Sequence, residues 1–98
     1  MPKVFITNKG AHDYADAARF GDIVFITEKK INAFDVGKMY REVDEKMEGS
    51  SMEDYIVPSG PRISDGILMS YFAQKHGRIN LLLFYNGKYM KRTVVFDQ

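Results

Sequence analysis

Four short apolar runs punctuate the chain: "KVFIT" (3–7), "DIVFIT" (22–27), "DYIVP" (54–58) and "INLLLF" (79–84). Each is rich in β-branched or aromatic side chains and is bounded by Gly, Asn, Asp or Pro, a pattern that predicts strands. Their apolar positions are nearly continuous instead of alternating. Strands covered on both faces have that character, so a parallel sheet flanked by helices is expected.

Helical spacing fills the gaps. Ile63, Ile67, Leu68, Tyr71 and Phe72 share one face, and Gly77 after His76 is placed to end the helix. Val36, Met39, Tyr40, Val43 and Met47 repeat at three and four, with Asp35 as N-cap and Gly49 as the stop. A third, shorter helix is expected in "HDYADAARFG" (12–21), with Asp13 capping its first turn and Gly21 closing its last. Beyond the fourth run, Asn86 and Gly87 tolerate the positive φ of a type I′ turn, so "YMKRTVVF" (89–96) should return as an antiparallel hairpin strand. Lys88, Lys91 and Arg92 would blunt it as a sheet edge. The order β-α-β-α-β-α-β-β predicts one α/β domain over residues 1–98. It is a small, doubly wound, Rossmann-like, mostly parallel five-stranded sheet flanked by three helices, with strand order 2-1-3-4-5 and right-handed crossovers.

Composition narrows the chemistry. Ninety-eight residues at 45% hydrophobic content suit a single core. A net charge of +1 gives no global attraction to nucleic acid, so any anion site must be local and a nucleic-acid partner is not expected. The absence of cysteine removes disulfides, zinc-thiolate sites and thiol nucleophiles. "MPKVFITNKG" lacks the order of a signal peptide, and no apolar stretch approaches the ~20 residues of a membrane helix, so a cytoplasmic protein without a membrane partner is expected. No cofactor or metal is implied, since the two histidines are far apart and have no clear third ligand.

In open sheets of this order, ligands bind beyond the carboxyl ends of the strands where the order reverses, here between the first and third strands. The loops leaving them are "TNKGAHD" (7–13) and "PSGPRIS" (58–64). Pro61 suits the first helical position, with Ser59 or Gly60 before it as the cap. Free N–H groups there, with Arg62 in the first turn, suit a phosphate or carboxylate. Two alternatives stay open: an anion site, or a helix capped by Ser59 or Ser64 with Arg62 solvated or paired with Asp65. The loop is neither a Walker loop nor a nucleophile elbow. Asn8 and Lys9 would help hold an anion. His12 is the acid-base group if a reaction occurs, and Asp13 is a ligand contact or simply a cap. His76 is read as a cation at a helix C-terminus. Thr27, Glu28, Lys29 and Lys30 lie farther off, within reach of an extended ligand only. The expected function is binding of a nucleotide or other phosphorylated small molecule. The alternative is a non-enzymatic homodimeric interaction protein with a host or structural partner, because Met69 and Ala73 widen the apolar surface of the main helix.

The opening "VFITNKGAHD" and the closing hairpin "NLLLFYNGKYMKRTV" together resemble small uncharacterised proteins of tailed bacteriophages. The resemblance implies a viral accessory protein in a bacterial cytoplasm and carries no functional residues with it.

Overall fold

A computed structural model describes residues 1–10 and 12–96. The strands are β1 (Lys3–Asn8), β2 (Asp22–Thr27), β3 (Tyr55–Val57), β4 (Arg78–Tyr85) and β5 (Lys88–Val95), joined in one sheet of order β2-β1-β3-β4-β5. β1 pairs in parallel with both β2 and β3, β3 with β4 likewise, and β5 closes an antiparallel hairpin on β4. Asn86 and Gly87 take φ of 49° and 80°, the left-handed values a two-residue turn needs.

The architecture is mixed α/β with two α-helices among the described residues, α1 (Val36–Lys46) and α2 (Arg62–His76), where three helices were expected. The β1–β2 connection holds only a five-residue 3-10 helix, Ala15–Arg19. Its aspartates hydrogen-bond elsewhere: Asp13 Oδ1 accepts Ala15 N–H at 2.8 Å, and Asp16 reaches the hairpin. Side chains that offer such alternatives weaken a helix. The connection must also travel back along a six-residue strand, and a 3-10 turn covers more length per residue than an α-turn.

Because the chain steps outward to β2 and then back past β1 to β3, crossovers of one hand put the first connection on the opposite face from the other two. The core divides accordingly. Phe5, Ile56, Val43, Met47, Leu68 and Phe72 fill the face under α1 and α2. Val4, Ile6, Val57, Leu82, Tyr14 and Ala17 fill the face under the 3-10 helix. Met69 and Ala73 pack against the first of these clusters, so the apolar breadth of α2 is taken up within the chain, and Ile63 is left half exposed.

Asp35 caps α1 by accepting the Lys38 N–H, and Gly77 ends α2 at φ 72°. The start of α2 differs from expectation. Pro61 is itself the cap residue, at ψ 151°, and neither Ser59 nor Ser64 caps the helix. The Asp65 carboxylate instead turns back to accept the Gly60 N–H at 3.0 Å.

Candidate functional site

β1 and β3 are neighbours, and their connections leave on opposite faces, so the order reverses between them. Tyr14 ties the two exits together: its hydroxyl donates to the Asn8 carbonyl at 3.2 Å and contacts Ser59 Oγ at 3.3 Å. A cavity lies on each face of this edge.

On the 3-10 face, a cavity of about 320 Å³ is lined by His12, Asp13, Tyr14, Ser59, Phe84 and Tyr89, among others. It brings together His12, the expected acid-base group, and two of the expected ligand residues, Asp13 and Ser59. Asn8 ends β1 beside them, and its side-chain Oδ1 is buried with no partner among the described residues. On the helix face, a cavity of about 280 Å³ has Ile26, Met39 and Val43 among its walls, with Lys29, Lys30 and Lys38 and the acidic Glu28, Asp35 and Glu42 among its polar lining. Here the loop after β2, expected to lie farther off and within reach of an extended ligand only, forms most of one side.

Of the other expected anion-holding groups, Lys9, Gly60 and Ser64 are engaged elsewhere and Arg62 faces away. Gly60 N–H is taken by Asp65, so a carboxylate of the chain already sits where a bound anion would. A Cβ on Gly60 would meet Thr7 Cγ2 at 2.8 Å, which leaves little room around that donor. Burial pushes the Asp65 carboxyl above its ordinary value, partly offset by the hydroxyl of Thr7 and the Gly60 N–H. Lys9 pairs with Glu28 at 3.3 Å and lies over the Phe25 ring. Ser64 is buried and donates to Met39 Sδ at 3.3 Å, joining the starts of α1 and α2. Arg62 is exposed and lines a separate groove with Tyr40, Ile63 and Gly66. The loop pair therefore does not gather Lys9, Gly60, Arg62 and Ser64 around one point.

His76 is not a free cation at the end of α2. Its ring packs 4.6 Å from Phe72, Nε2 is 2.9 Å from Ser50 Oγ, and burial lowers its pKa.

One surface was not anticipated. β3 is three residues long and meets β4 at Ile56 opposite Leu81, so β4 runs on past its neighbour and carries the hairpin beyond the carboxyl edge. Leu83, Phe84, Tyr85, Met90, Val94, Val95 and Phe96 are all exposed, Phe84 at 60% and Tyr85 at 66%. "INLLLF" reads as a buried strand because its composition carries no mark of where its neighbours stop. The signal that could have found the surface is length, an apolar run followed by an eight-residue return strand beside the short "DYIVP".

No helix among the described residues is long and apolar enough to cross a membrane, and no group of acidic, His or Cys side chains there could hold a metal ion. Comparison with curated proteins and with solved structures gives no match. The model of the phage Pam3 gp32-like proteins matches residues 2–97, and the chain belongs to that family.

Proposed function

We propose that this phage protein acts by contact with another protein, made through the β4–β5 hairpin, in the cytoplasm of the host. The observation that carries this reading is the projecting hairpin with its exposed apolar side chains on both strands. Fully burying an exposed apolar side chain is worth about 1.5–3 kcal/mol, and since these are 41–66% exposed, several together are needed to hold a complex. By register, Leu83, Tyr85, Met90 and Val94 share one face of the hairpin, and an exposed apolar face of this kind on a small protein marks an interaction site. A homodimer through the same hairpin is disfavoured by charge: Arg78, Lys88, Lys91 and Arg92 lie on it, and no Asp or Glu does. A partner with carboxylates is better matched.

A pull-down from infected cells tests this. Wild type should retain a phage or host protein that Tyr85→Ser/Met90→Ser loses and Lys38→Ala keeps. If both variants retain the same proteins as wild type, contact through the hairpin is wrong.

A second reading draws on one specific observation, the helix-face cavity, where apolar walls meet Lys29, Lys30 and Lys38 alongside Glu28, Asp35 and Glu42. There the sheet would work as a Rossmann-like platform for a nucleotide or another phosphorylated molecule, held by Lys29, Lys30 and Lys38. Thermal stabilisation by a nucleotide that disappears in Lys38→Ala would support it.

A further inference from the structure

We infer that the outer edge of β5, from Lys91 to Val95, accepts an extended partner segment as a sixth strand, and that this segment carries two consecutive acidic residues flanked by β-branched ones. The inference rests on the hairpin-contact reading and specifies its partner. Its first support is the geometry of the edge. In an antiparallel pair, alternate residues turn their N–H and C=O toward the partner and away from it. Tyr89 turns away from β4: its N–H donates to Asp16 Oδ2 at 2.7 Å and its carbonyl accepts from Arg19 at 2.6 Å. By alternation, Lys91, Thr93 and Val95 also present their backbone groups outward. The 3-10 helix closes the edge at Tyr89 and stops there. The remaining stretch has no proline, is part of an eight-residue strand and is followed by exposed Phe96; Lys91 and Arg92 blunt it against basic or neutral strands and leave it open to an acidic one.

Charge complementarity selects the occupant. Lys91 and Arg92 are neighbours, so their side chains leave opposite faces of the sheet, and residues facing them on an added strand would also be neighbours. Two adjacent carboxylates would meet one cation on each face. Met90, Val94 and Val95 on either side call for apolar, β-branched neighbours. The Arg92 guanidinium currently donates to the Lys91 carbonyl at 2.7 Å, an outward-facing acceptor. A partner N–H would take over that carbonyl and release the guanidinium to a carboxylate. A second copy of β5 would bring two more cations to the same ladder and no acid.

The test uses the full chain and a labelled, acetylated and amidated peptide, Ser-Val-Ile-Thr-Glu-Glu-Val-Ser, followed by fluorescence anisotropy. The Glu-Glu peptide should bind at least tenfold tighter than its Lys-Lys counterpart, and Lys91→Glu/Arg92→Glu should reverse that preference. Binding should slow amide exchange at Lys91, Thr93 and Val95. Two versions of the peptide, methylated on complementary sets of alternate backbone nitrogens, keep every side chain, and the one blocked on the side facing β5 should bind at least tenfold more weakly. Binding by both versions equal to that of the parent peptide would overturn strand addition while leaving side-chain contact with the hairpin intact. No discrimination between the Glu-Glu and Lys-Lys peptides would overturn the acidic partner. Pull-down by the hairpin would still decide the broader reading separately.

Discussion

The Asp16 carboxylate accepts the backbone N–H of Tyr89 at 2.7 Å, joining residues seventy-three positions apart. Arg19 completes the clamp on the Tyr89 carbonyl and pairs with Asp16 at 3.2 Å. The first connection of the chain thus crosses one face of the sheet and pins the start of the last strand, while the Tyr89 ring is buried in the cluster below.

The clamp should show itself in acid. The Tyr89 N–H holds the Asp16 carboxyl below its ordinary 3.8. A carboxyl with a depressed pKa adds stability that is present above its unfolded value and lost as pH falls through the folded one. Asp16→Ala should therefore melt below wild type at neutral pH, and the two should converge in strong acid. Amide exchange at Tyr89 should accelerate in the variant. Matching melting curves across the pH range would mean the clamp is idle.

Two glycines should respond to the same substitution with opposite sign. Gly66 lies on the exposed face of α2, and a Cβ there would meet nothing within 4 Å, so no packing explains its presence. Gly66→Ala should stabilise by about 0.5–1 kcal/mol through lower backbone entropy in the unfolded chain. At Gly21 a Cβ would come within 2.2 Å of the Pro2 carbonyl oxygen. That oxygen cannot retreat freely, because it accepts the Asp22 N–H at 2.9 Å. Gly21→Ala should cost about 1–3 kcal/mol, as overpacking does. Denaturant midpoints of the two variants check both signs.

The strands, the two α-helices and the closing hairpin were legible in the sequence because the apolar runs, the spacing of Val36–Met47 and Ile63–Phe72, and the Asn86–Gly87 turn each carry local chemistry. What depended on distant partners was not. "HDYADAARFG" looks helical in isolation, but the bonds of Tyr14 to Asn8 and of Asp16 to Tyr89 draw it into a shorter 3-10 turn. "PSGPRIS" looks like an anion cradle until Asp65 is seen to occupy Gly60 N–H. The exposed half of β4 is invisible in composition, because Leu83 and Phe84 are as apolar as the buried Ile79 and Leu82.

Asp65 gives a sharper test of the filled cradle. Burial raises its carboxyl above 3.8, so the charged form is disfavoured in the folded protein. Such a group favours folding in acid, and its contribution falls as pH rises through the unfolded and then the folded value. Asp65→Asn keeps an oxygen to accept the Gly60 N–H and carries no charge. It should be at least as stable as wild type at pH 7, with the difference shrinking as wild-type Asp65 is protonated. Asp65→Ala leaves the Gly60 donor without its acceptor and should cost about 1–3 kcal/mol. Equal losses in the two variants would show that charge, rather than the acceptor oxygen, holds the turn.

His76 should make folding sensitive to mild acid. Its ring is packed on Phe72 and bonded to Ser50, and burial, with Lys75 adjacent, lowers its pKa from the ordinary 6.5 against a smaller opposing pull from Asp54. The folded state therefore prefers the neutral imidazole. The resulting stability is fully present above 6.5 and is lost as pH falls through the depressed folded value. The denaturant midpoint of wild type should drop across that window, and His76→Gln, which keeps a hydrogen-bonding head without titrating there, should flatten the drop. An NMR titration provides the direct reading, since the chain has only two histidines and the His76 ring should protonate below 6.5. A His76 midpoint at or above that value would mean that its contacts with Ser50 and Phe72 do not disfavour the imidazolium, and the predicted loss of stability in mild acid would go with it.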